Sequence, residues 1–461
     1  MPAAETVTAF GPELSTDLAA AEQREWLVTN GIGGFASGTV AGPATRRYHG
    51  LLIAALDPPS RRTQLVGGID EIVSTASGNA ELGTHRWLGG AIAPEGYKNI
   101  RGFRLEGSIP AWTYRTGSAL LEKRVWMQHG ENTTFLRYTL LESPAPVELA
   151  LKVLVNYRDF HAATHAGSPP NDWRMRIERV EDGVAILAFD GAAPFFLRST
   201  AATCEPQHVW YRNFFFPLER ERGLEDNEDQ LLAAVFRVRL ERAESAAIVF
   251  STNPEARLDG DTALRQEQAR QSAIQASMSA KLGPATDAET AFPVSQLALA
   301  ADQFISGRPL RGQAEGKTVI AGYHWFGDWG RDTMIALPGL TLATGRYQIA
   351  KQILLAFSRF VDRGMLPNNF PDAGGAPEYN TMDATLWYFE AIRQYFAATS
   401  DAAALRELFP VLTGIIEAHL AGTRYGIHVD PDDGLLYGGG PGAQLTWMDA
   451  KIGDWVVTPR T

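Results

Sequence analysis

The chain has 461 residues, of which 45% are hydrophobic and 21% are charged, as in ordinary globular proteins with more than one apolar core. Its formal net charge of −11 argues against a nucleic acid or an anionic membrane surface as the partner, because both favour a basic protein face. The chain contains a single cysteine, Cys204, so it cannot form an internal disulfide bond.

The first residues lack the basic patch and apolar run of a signal peptide, and no stretch reaches the ~18 apolar residues of a membrane span. We therefore expect a cytoplasmic protein that contacts no membrane. No group of His, Cys and Asp has zinc-like spacing, and neither a phosphate loop nor a G-x-S-x-G motif is present. We expect no metal and no cofactor.

The first half of the chain alternates with a period of two. Phe236, Val238 and Leu240 alternate with charged residues, and 149–155, 125–127 and 248–250 have similar patterns. Short alternating segments separated by turn residues indicate antiparallel strands. Residues 1–258 are therefore predicted to form an N-terminal antiparallel β-sandwich domain.

The pattern then changes to that of helices. Residues 259–285 are rich in helix formers with polar groups on most sides, which predicts a linker helix. Apolar residues three or four apart mark the rest of the chain as helices with one apolar, core-facing stripe, first at Ile349, Ile353 and Phe357 and then at Leu386, Phe389 and Ile392. A helical domain is expected over 286–461, with helices near 294–306, 332–343, 345–362, 381–398 and 402–421.

The segment Tyr323–Thr333 combines aromatic rings, glycines, an arginine and two carboxylates in a predicted loop that leads into a helix. A second short motif follows at Thr446–Asp449. Aromatic rings beside hydrogen-bonding side chains suit a ligand with apolar ring faces and hydroxyl edges. Since functional residues concentrate on loops held by a rigid scaffold, we interpret these segments as a sugar site.

Hydrolysis of a glycosidic bond usually needs two carboxyl groups. Asp449 follows Trp447 and Met448, a setting that can raise the pKa of an acid catalyst by desolvation; a surface aspartate in a turn is the alternative. The sequence offers seven candidate carboxylates: Asp328, Asp332, Asp372, Glu378, Asp383, Asp449 and Asp454.

Three charged residues have alternative interpretations. Arg331 and Asp332 could together hold sugar hydroxyls through charge-assisted hydrogen bonds, or Asp332 could only complement a helix dipole. Asp383 could lie in the first turn of a helix capped by Thr381. Tryptophans beside these carboxylates are either core residues or the walls of a stacking cleft: Trp325, Trp329, Trp387 and Trp447.

At these motifs the chain resembles the bacterial glycogen debranching enzymes of the amylo-α-1,6-glucosidase type. Segments Trp26–Gly38, Arg46–Leu52, Trp210–Asn213 and Pro217–Gly223 are similar to the N-terminal domain of that family. The resemblance continues, in the same order, at motifs of the catalytic domain: Trp329–Asp332, Leu366–Phe370, Tyr379–Asp383 and Thr446–Asp449.

The resemblance implies a β-sandwich followed by an (α/α)6 toroid similar to that of glucoamylases. It also implies inverting hydrolysis that releases glucose from α-1,6 branch points of glycogen or limit dextrins. Asp449 matches the general acid of the family. Arg331 and Asp332 match residues that hold the terminal glucose, and Asp383 lies in a matching glucose-binding segment; Trp325, Trp329 and Trp447 are expected to contact substrate.

The helices of the second half are fewer than a complete toroid requires. We therefore expect a truncated toroid, a catalytic base located after Thr461, and a chain that is inactive on its own. Alternative functions are a related glucoamylase, trehalase or disaccharide phosphorylase, a non-catalytic glycan-binding protein, or a structural partner of glycogen enzymes. The expected partner is glycogen or a branched α-glucan, and the sequence gives no signal for an oligomeric state.

Overall fold

A computed structural model describes residues 9–167, 175–282, 288–310, 316–371, 375–439, 443–448, 451–453 and 455–457. The chain divides into two compact units. The first comprises Met1–Leu56, Arg61–Ala276 and Ala288–Leu299, and the second comprises Asp57–Ser60, Ser277–Asp287 and Ala300–Thr461. The domain boundaries at residues 258 and 285 stay a prediction.

The first unit is built from antiparallel strands. Within the described residues, one sheet has the order β1-β9-β10-β11-β12-β19-β16-β15-β14, and the other has the order β17-β18-β13-β5-β4-β3-β2. Short helices α1 (Pro12–Ser15), α2 (Leu18–Glu22) and α3 (Pro217–Glu221) lie between strands. The strands are β1 (Ala9–Phe10), β2 (Glu25–Thr29), β3 (Phe35–Thr39), β4 (Gly50–Asp57), β5 (Ser60–Thr75), β6 (Gly78–Glu81), β7 (Thr84–Arg86), β8 (Ile92–Glu95), β9 (Ile100–Glu106), β10 (Ile109–Thr116), β11 (Ala119–Met127), β12 (Thr133–Glu142), β13 (Val147–Asp159), β14 (Arg176–Val180), β15 (Gly183–Leu187), β16 (Phe195–Arg198), β17 (Thr203–Phe215), β18 (Asn227–Leu240) and β19 (Ser245–Ser251).

Alternating side chains from both sheets form one apolar core. In β18, Phe236, Val238 and Leu240 are buried while the arginines between them are exposed. Trp26 from one sheet meets Trp112 from the other edge to face, with ring centroids 5.5 Å apart. Because each strand places alternate residues on one face, the two inner faces interdigitate. The predicted fold class, antiparallel β-sheets followed by a helical region, is confirmed.

A buried charge network fixes the segment Arg46–Leu52. Arg158 donates from Nε to Glu228 Oε2 at 2.6 Å, and both side chains are almost completely buried. Arg158 also donates from Nη2 to the Arg47 carbonyl at 2.5 Å, and Arg47 donates in turn to the Glu225 carbonyl at 2.8 Å. Since a buried charge is tolerated only when it is paired, this segment has a structural role.

The second unit is mainly helical. Apart from small two-stranded pairs and a 3-10 turn (Arg424–Gly426), the described residues form α4 (Gly260–Leu282) and α5 (Ala288–Gln303), which belong partly to each unit, and four further α-helices. These are α6 (Gly330–Leu337), which continues as a π-helical turn (Pro338–Leu342), α7 (Tyr347–Ser358), α8 (Ala384–Thr399) and α9 (Ala402–Ala421). The short strands are β20 (Ile305–Gly307) with β21 (Lys317–Val319), β22 (His428–Val429) with β23 (Leu436–Tyr437), and β24 (Lys451–Ile452) with β25 (Trp455–Val456).

The helical periodicity identifies most of the second core. Ile353 and Phe357 of α7 are buried as expected. In α8 the buried stripe includes Tyr388 and Ile392, whereas Leu386 is exposed, so its assignment to the core stripe was wrong. Two positions along a helix rotate a side chain by about 200°, which places Leu386 on the other face from Tyr388. Across the described residues, every helix is too short or too polar to cross a lipid bilayer.

Removal of one partner of the buried Arg158–Glu228 pair should cost much more stability than removal of an exposed partner. We expect Glu228→Ala to lower the free energy of unfolding by about 3–5 kcal/mol, because Arg158 would remain buried without its counterion. Asp190→Ala is the matched control, since its pair with Arg176 is exposed, and should cost less than about 1 kcal/mol. Urea unfolding measures both; equal effects would contradict the role of the network.

Candidate functional site

Three separate segments meet at the start of α6. Isolated bridges join Trp329 to Asn369 and Asn369 to Glu378. The Gly330 amide donates to the Asn368 carbonyl at 2.9 Å, and the Asn368 amide donates to the Glu378 carbonyl at 2.7 Å. These bonds bring together the sequence motifs around residues 329–332, 366–370 and 378–383, which are far apart along the chain.

Gly330 permits this close approach. A Cβ atom at this position would lie 1.9 Å from the carbonyl oxygen of Pro367, a distance that real atoms cannot adopt. Only glycine lets the two backbones meet here. The same contact fixes where α6 begins, and therefore where the next residue, Arg331, projects its side chain.

Arg331 and Asp383 form the central ion pair of the candidate site. Arg331 Nε donates to both carboxylate oxygens of Asp383 at 2.9 Å, and Nη2 donates to Asp383 Oδ1 at 2.7 Å. Nη2 also donates to the hydroxyl of Thr381 at 3.0 Å, and that hydroxyl donates to Asp383 Oδ1 at 3.0 Å. Bidentate arginine–carboxylate pairs are strong and fix orientation.

The ion pair has one open side. The Arg331 side chain is 9% exposed, whereas the Asp383 side chain is 30% exposed. Among the described residues, none accepts a hydrogen bond from Arg331 Nη1, and Asp383 Oδ2 accepts only from Arg331 Nε. Within the described part of the chain, two N–H groups of Arg331 Nη1 and the second lone pair of Asp383 Oδ2 thus have no protein partner.

Asp383 and Asp332 have different positions and surroundings in the structure, a difference that the sequence did not indicate. Asp383 lies at the N-cap of α8 rather than in its first turn, and its carboxylate makes no capping bond. The Thr381 hydroxyl instead accepts from the Ala384 amide at 3.3 Å. Asp332 is exposed in the first turn of α6, a position that fits both of its interpretations, and Arg331 pairs with Asp383.

Asp328 holds the loop that precedes α6 through buried hydrogen bonds. It is almost completely buried, and it accepts hydrogen bonds from Arg308 Nε at 2.7 Å and from the Thr318 hydroxyl at 3.0 Å. Burial raises the pKa of Asp328, although Arg308 and Thr318 favour its charged form. The Arg308 guanidinium lies 4.0 Å from the ring centroid of Phe370. Asp328 therefore anchors the loop, and its carboxylate faces the protein interior.

Aromatic side chains are frequent in the loop that leads to Arg331. Trp325 and Trp329 are half-buried, and both rings adjoin Phe326, with centroids 6.2 and 6.4 Å away. Trp447 is 63% exposed. The Met382 amide donates to the Leu445 carbonyl at 2.8 Å, so the chain enters the second motif beside the residue that precedes Asp383.

The remaining candidate carboxylates have different settings. Glu378 is exposed, while Asp372, Asp449 and Asp454 lie outside the described residues. Sequence reasoning missed Arg308 and assigned Thr381 only a capping role. The spacing Thr381-Met-Asp383 gave a hint, because a hydroxyl two residues before a carboxylate can reach it. No sequence signal linked Arg308 to Asp328.

Comparison with known proteins identifies the family. The model for the N-terminal domain of glycogen debranching enzyme matches residues 24–247, and the model described as amylo-alpha-1,6-glucosidase matches residues 299–461. The second match contains the ion pair and all three segments around it. The chain belongs to the glycogen debranching enzyme family.

Individual relatives are more distant. A glycogen debranching enzyme of Saccharomyces cerevisiae is 28% identical over a 173-residue alignment that covers 27% of this chain and 11% of the relative. A bacterial glucoamylase solved with acarbose is 11% identical, with a TM-score of 0.43 over 92% of this chain and 60% of that one. A polysaccharide lyase is 15% identical, with a TM-score of 0.21 over 41% of this chain and 25% of that one. The chain thus spans only part of the length of these relatives.

Substitution of Gly330 tests whether the backbone contact organises the site. We expect Gly330→Ala to lower the free energy of unfolding by about 1–3 kcal/mol, because the added methyl group forces the two segments apart. Gly414→Ala is the control, since a Cβ there meets no atom within 4 Å and alanine favours the helix by about 1 kcal/mol. Thermal unfolding compares the two; a neutral Gly330→Ala would contradict the steric argument.

Proposed function

We propose that the protein is a glycoside hydrolase that releases glucose from α-1,6 branch points of glycogen or limit dextrins by inverting acid/base hydrolysis. The observation that carries this proposal is the preformed Arg331–Asp383 pair, whose open side offers donors and an acceptor to sugar hydroxyls. Membership of the glycogen debranching enzyme family supports the same reaction class.

The ion pair suits a neutral polyhydroxylated ligand. Each charge is already compensated by the other, so a sugar can bind without bringing a counterion. Arg331 Nη1 would donate to hydroxyl oxygens, and Asp383 Oδ2 would accept from a hydroxyl group. Because the pair is held by Thr381 and by the start of α6, little side-chain entropy is lost when the sugar binds.

Half-buried aromatic rings complete the proposed binding surface. Trp325 and Trp329 adjoin the segment that carries Arg331. Pockets with apolar walls and a few fixed polar groups are typical of small-ligand sites. The rings would cover the apolar face of the terminal glucose while Arg331 and Asp383 bind its hydroxyl edge. Trp447 and Asp332 are proposed as further substrate contacts on the evidence of their motifs.

The chemistry requires a proton donor for the leaving oxygen and a base that activates water from the opposite side. In inverting enzymes the two carboxyl groups are about 6.5–9.5 Å apart, which leaves room for that water. Asp449 is the proposed donor because it follows Trp447 and Met448 in the second motif. The carboxylic acid gives its proton to the glycosidic oxygen as the bond to the sugar carbon breaks.

Replacement of Asp383 tests the proposed sugar contact. We expect Asp383→Asn to weaken maltooligosaccharide binding roughly 10- to 100-fold, because the sugar loses a hydrogen bond to a charged group. Glu390→Gln is a matched control, because Glu390 forms a bidentate pair with Arg393 on the surface of the same helix. Isothermal titration measures both variants; unchanged affinity in Asp383→Asn would contradict the proposal.

Replacement of Asp449 tests the reaction. In the intact protein, Asp449→Asn should lower glucose release from a limit dextrin by about 10²–10⁴-fold while leaving sugar affinity nearly unchanged. A non-catalytic glycan-binding protein would release no glucose, whether residue 449 is Asp or Asn. Turnover that depends on inorganic phosphate would instead indicate a phosphorylase, and full activity of Asp449→Asn would exclude this residue as the acid.

A further inference from the structure

Each member of the Arg331–Asp383 pair is followed, four residues later, by an exposed apolar side chain. Ile335 of α6 is 48% exposed, and Trp387 of α8 is 39% exposed. Leu386, the neighbour of Trp387, is exposed as well. Because residues four apart lie on the same face of an α-helix, the ion pair borders an apolar patch, formed by Ile335, Leu386 and Trp387.

The backbone of α8 places Trp387 beside Asp383. Asp383 is the N-cap residue, yet its φ of −89° and ψ of −24° are helical. The Trp387 amide donates to the Asp383 carbonyl at 2.9 Å, so the two residues belong to one continuous helical turn. Side chains of an α-helix lean towards its N-terminus and cover the preceding turn. The indole ring of Trp387 therefore covers the surface between its own Cα atom and Asp383.

The helices α6 and α8 run in the same direction, which brings Ile335 to the level of Trp387. The two helices begin at the Arg331–Asp383 pair, and the π-helical turn that continues α6 lines one groove with the last two turns of α8. The 52 positions that separate Arg331 from Asp383 also separate Ile335 from Trp387. Both apolar residues thus follow the ion pair by one helical turn, about 5.4 Å.

The charges around the apolar patch compensate each other. Asp383 is paired with Arg331, and in the next turn of α8 Glu390 accepts from Nε and Nη2 of Arg393, both at 2.7 Å. Such a surface gives neither an anion nor a cation a strong electrostatic attraction. Single exposed apolar residues are common, whereas adjacent ones beside fixed polar groups are typical of a ligand site. The patch therefore suits a neutral ligand with an apolar face.

The exposure of Trp387 also decides between the two interpretations that the sequence allowed for this residue. A side chain that is 39% exposed does not belong to the apolar core, so Trp387 forms part of the wall of a cleft. The large, rigid indole ring offers a flat apolar surface, and the apolar faces of a sugar ring fit such a surface.

We propose that Trp387 contacts substrate: its indole ring binds the apolar face of the glucose unit next to the unit held by Arg331 and Asp383, with Ile335 and Leu386 at the edge. This inference rests on the sugar site of the proposed function and extends that site from one glucose unit to two. The patch thus favours an α-glucan chain over free glucose, because a monosaccharide held at the ion pair leaves the indole ring uncovered.

Isothermal titration of the full chain with glucose and with maltotriose tests this inference. We expect Trp387→Ala to weaken maltotriose binding roughly tenfold and to leave glucose binding unchanged, because only the longer sugar reaches the indole ring. Phe396→Ala is the matched control, since Phe396 is 38% exposed and lies in the last turn of the same helix. This control should leave both affinities unchanged.

Two further variants separate ring stacking from a loss of folding. Trp387→Phe keeps an aromatic ring and should retain most of the maltotriose affinity. Trp387→Leu keeps apolar bulk without a ring face and should lose affinity as Trp387→Ala does. Maltotriose binding that all three variants leave unchanged would show that the patch packs against another protein segment, and would overturn the inference. An equal loss of glucose and maltotriose affinity in Trp387→Ala would overturn it too.

Asp383→Asn in the same titration distinguishes failure of this inference from failure of the proposed function. If Asp383→Asn weakens maltotriose binding and Trp387→Ala does not, the contact with Trp387 is wrong and the sugar site at the ion pair stands. If neither variant changes maltotriose binding, the sugar site itself is wrong, and the inference falls with it.

Discussion

The candidate site depends on one contact between two backbones, where the amide of Gly330 meets the carbonyl of Asn368 at 2.9 Å. This contact is possible because residue 330 has no side chain. It sets the first residue of α6, and the following arginine then reaches Asp383 across the site. The position of the Arg331–Asp383 pair thus depends on the absence of a side chain at the neighbouring residue, Gly330.

Different interactions stabilise the two units. The first combines an apolar core between two sheets with a fully buried Arg158–Glu228 pair that holds the segment Arg46–Leu52. The second combines a helical core with ion pairs that hold loops, among them the buried pair of Asp328 with Arg308. In both units, motifs that resemble a known family include residues whose observed contacts are internal, so motif membership alone does not imply contact with substrate.

Much of the fold could be predicted from the sequence because the periods of its apolar residues are regular. The alternation at Phe236, Val238 and Leu240 and the spacing of Ile353 and Phe357 each identified the buried face. Leu386 was assigned to the buried face wrongly, because α8 has apolar residues on both its buried and its exposed face. Local patterns do not reveal which face another helix covers.

The site could be predicted only in part. The motifs around Arg331 and Asp383 gave the residues, but not that they pair with each other, because a pair 52 positions apart leaves no local periodicity. For the same reason the sequence left Asp328 among the candidates for catalysis, since it does not show that Asp328 pairs with Arg308.

A crystal structure of the protein with a bound maltooligosaccharide tests the central claim most directly. The Arg331–Asp383 pair should remain intact, with a glucose hydroxyl within hydrogen-bond distance of Arg331 Nη1 or Asp383 Oδ2 and a sugar face against Trp325 or Trp329. Sugar bound elsewhere, with this pair contacting only protein and water, would contradict the assignment of the site.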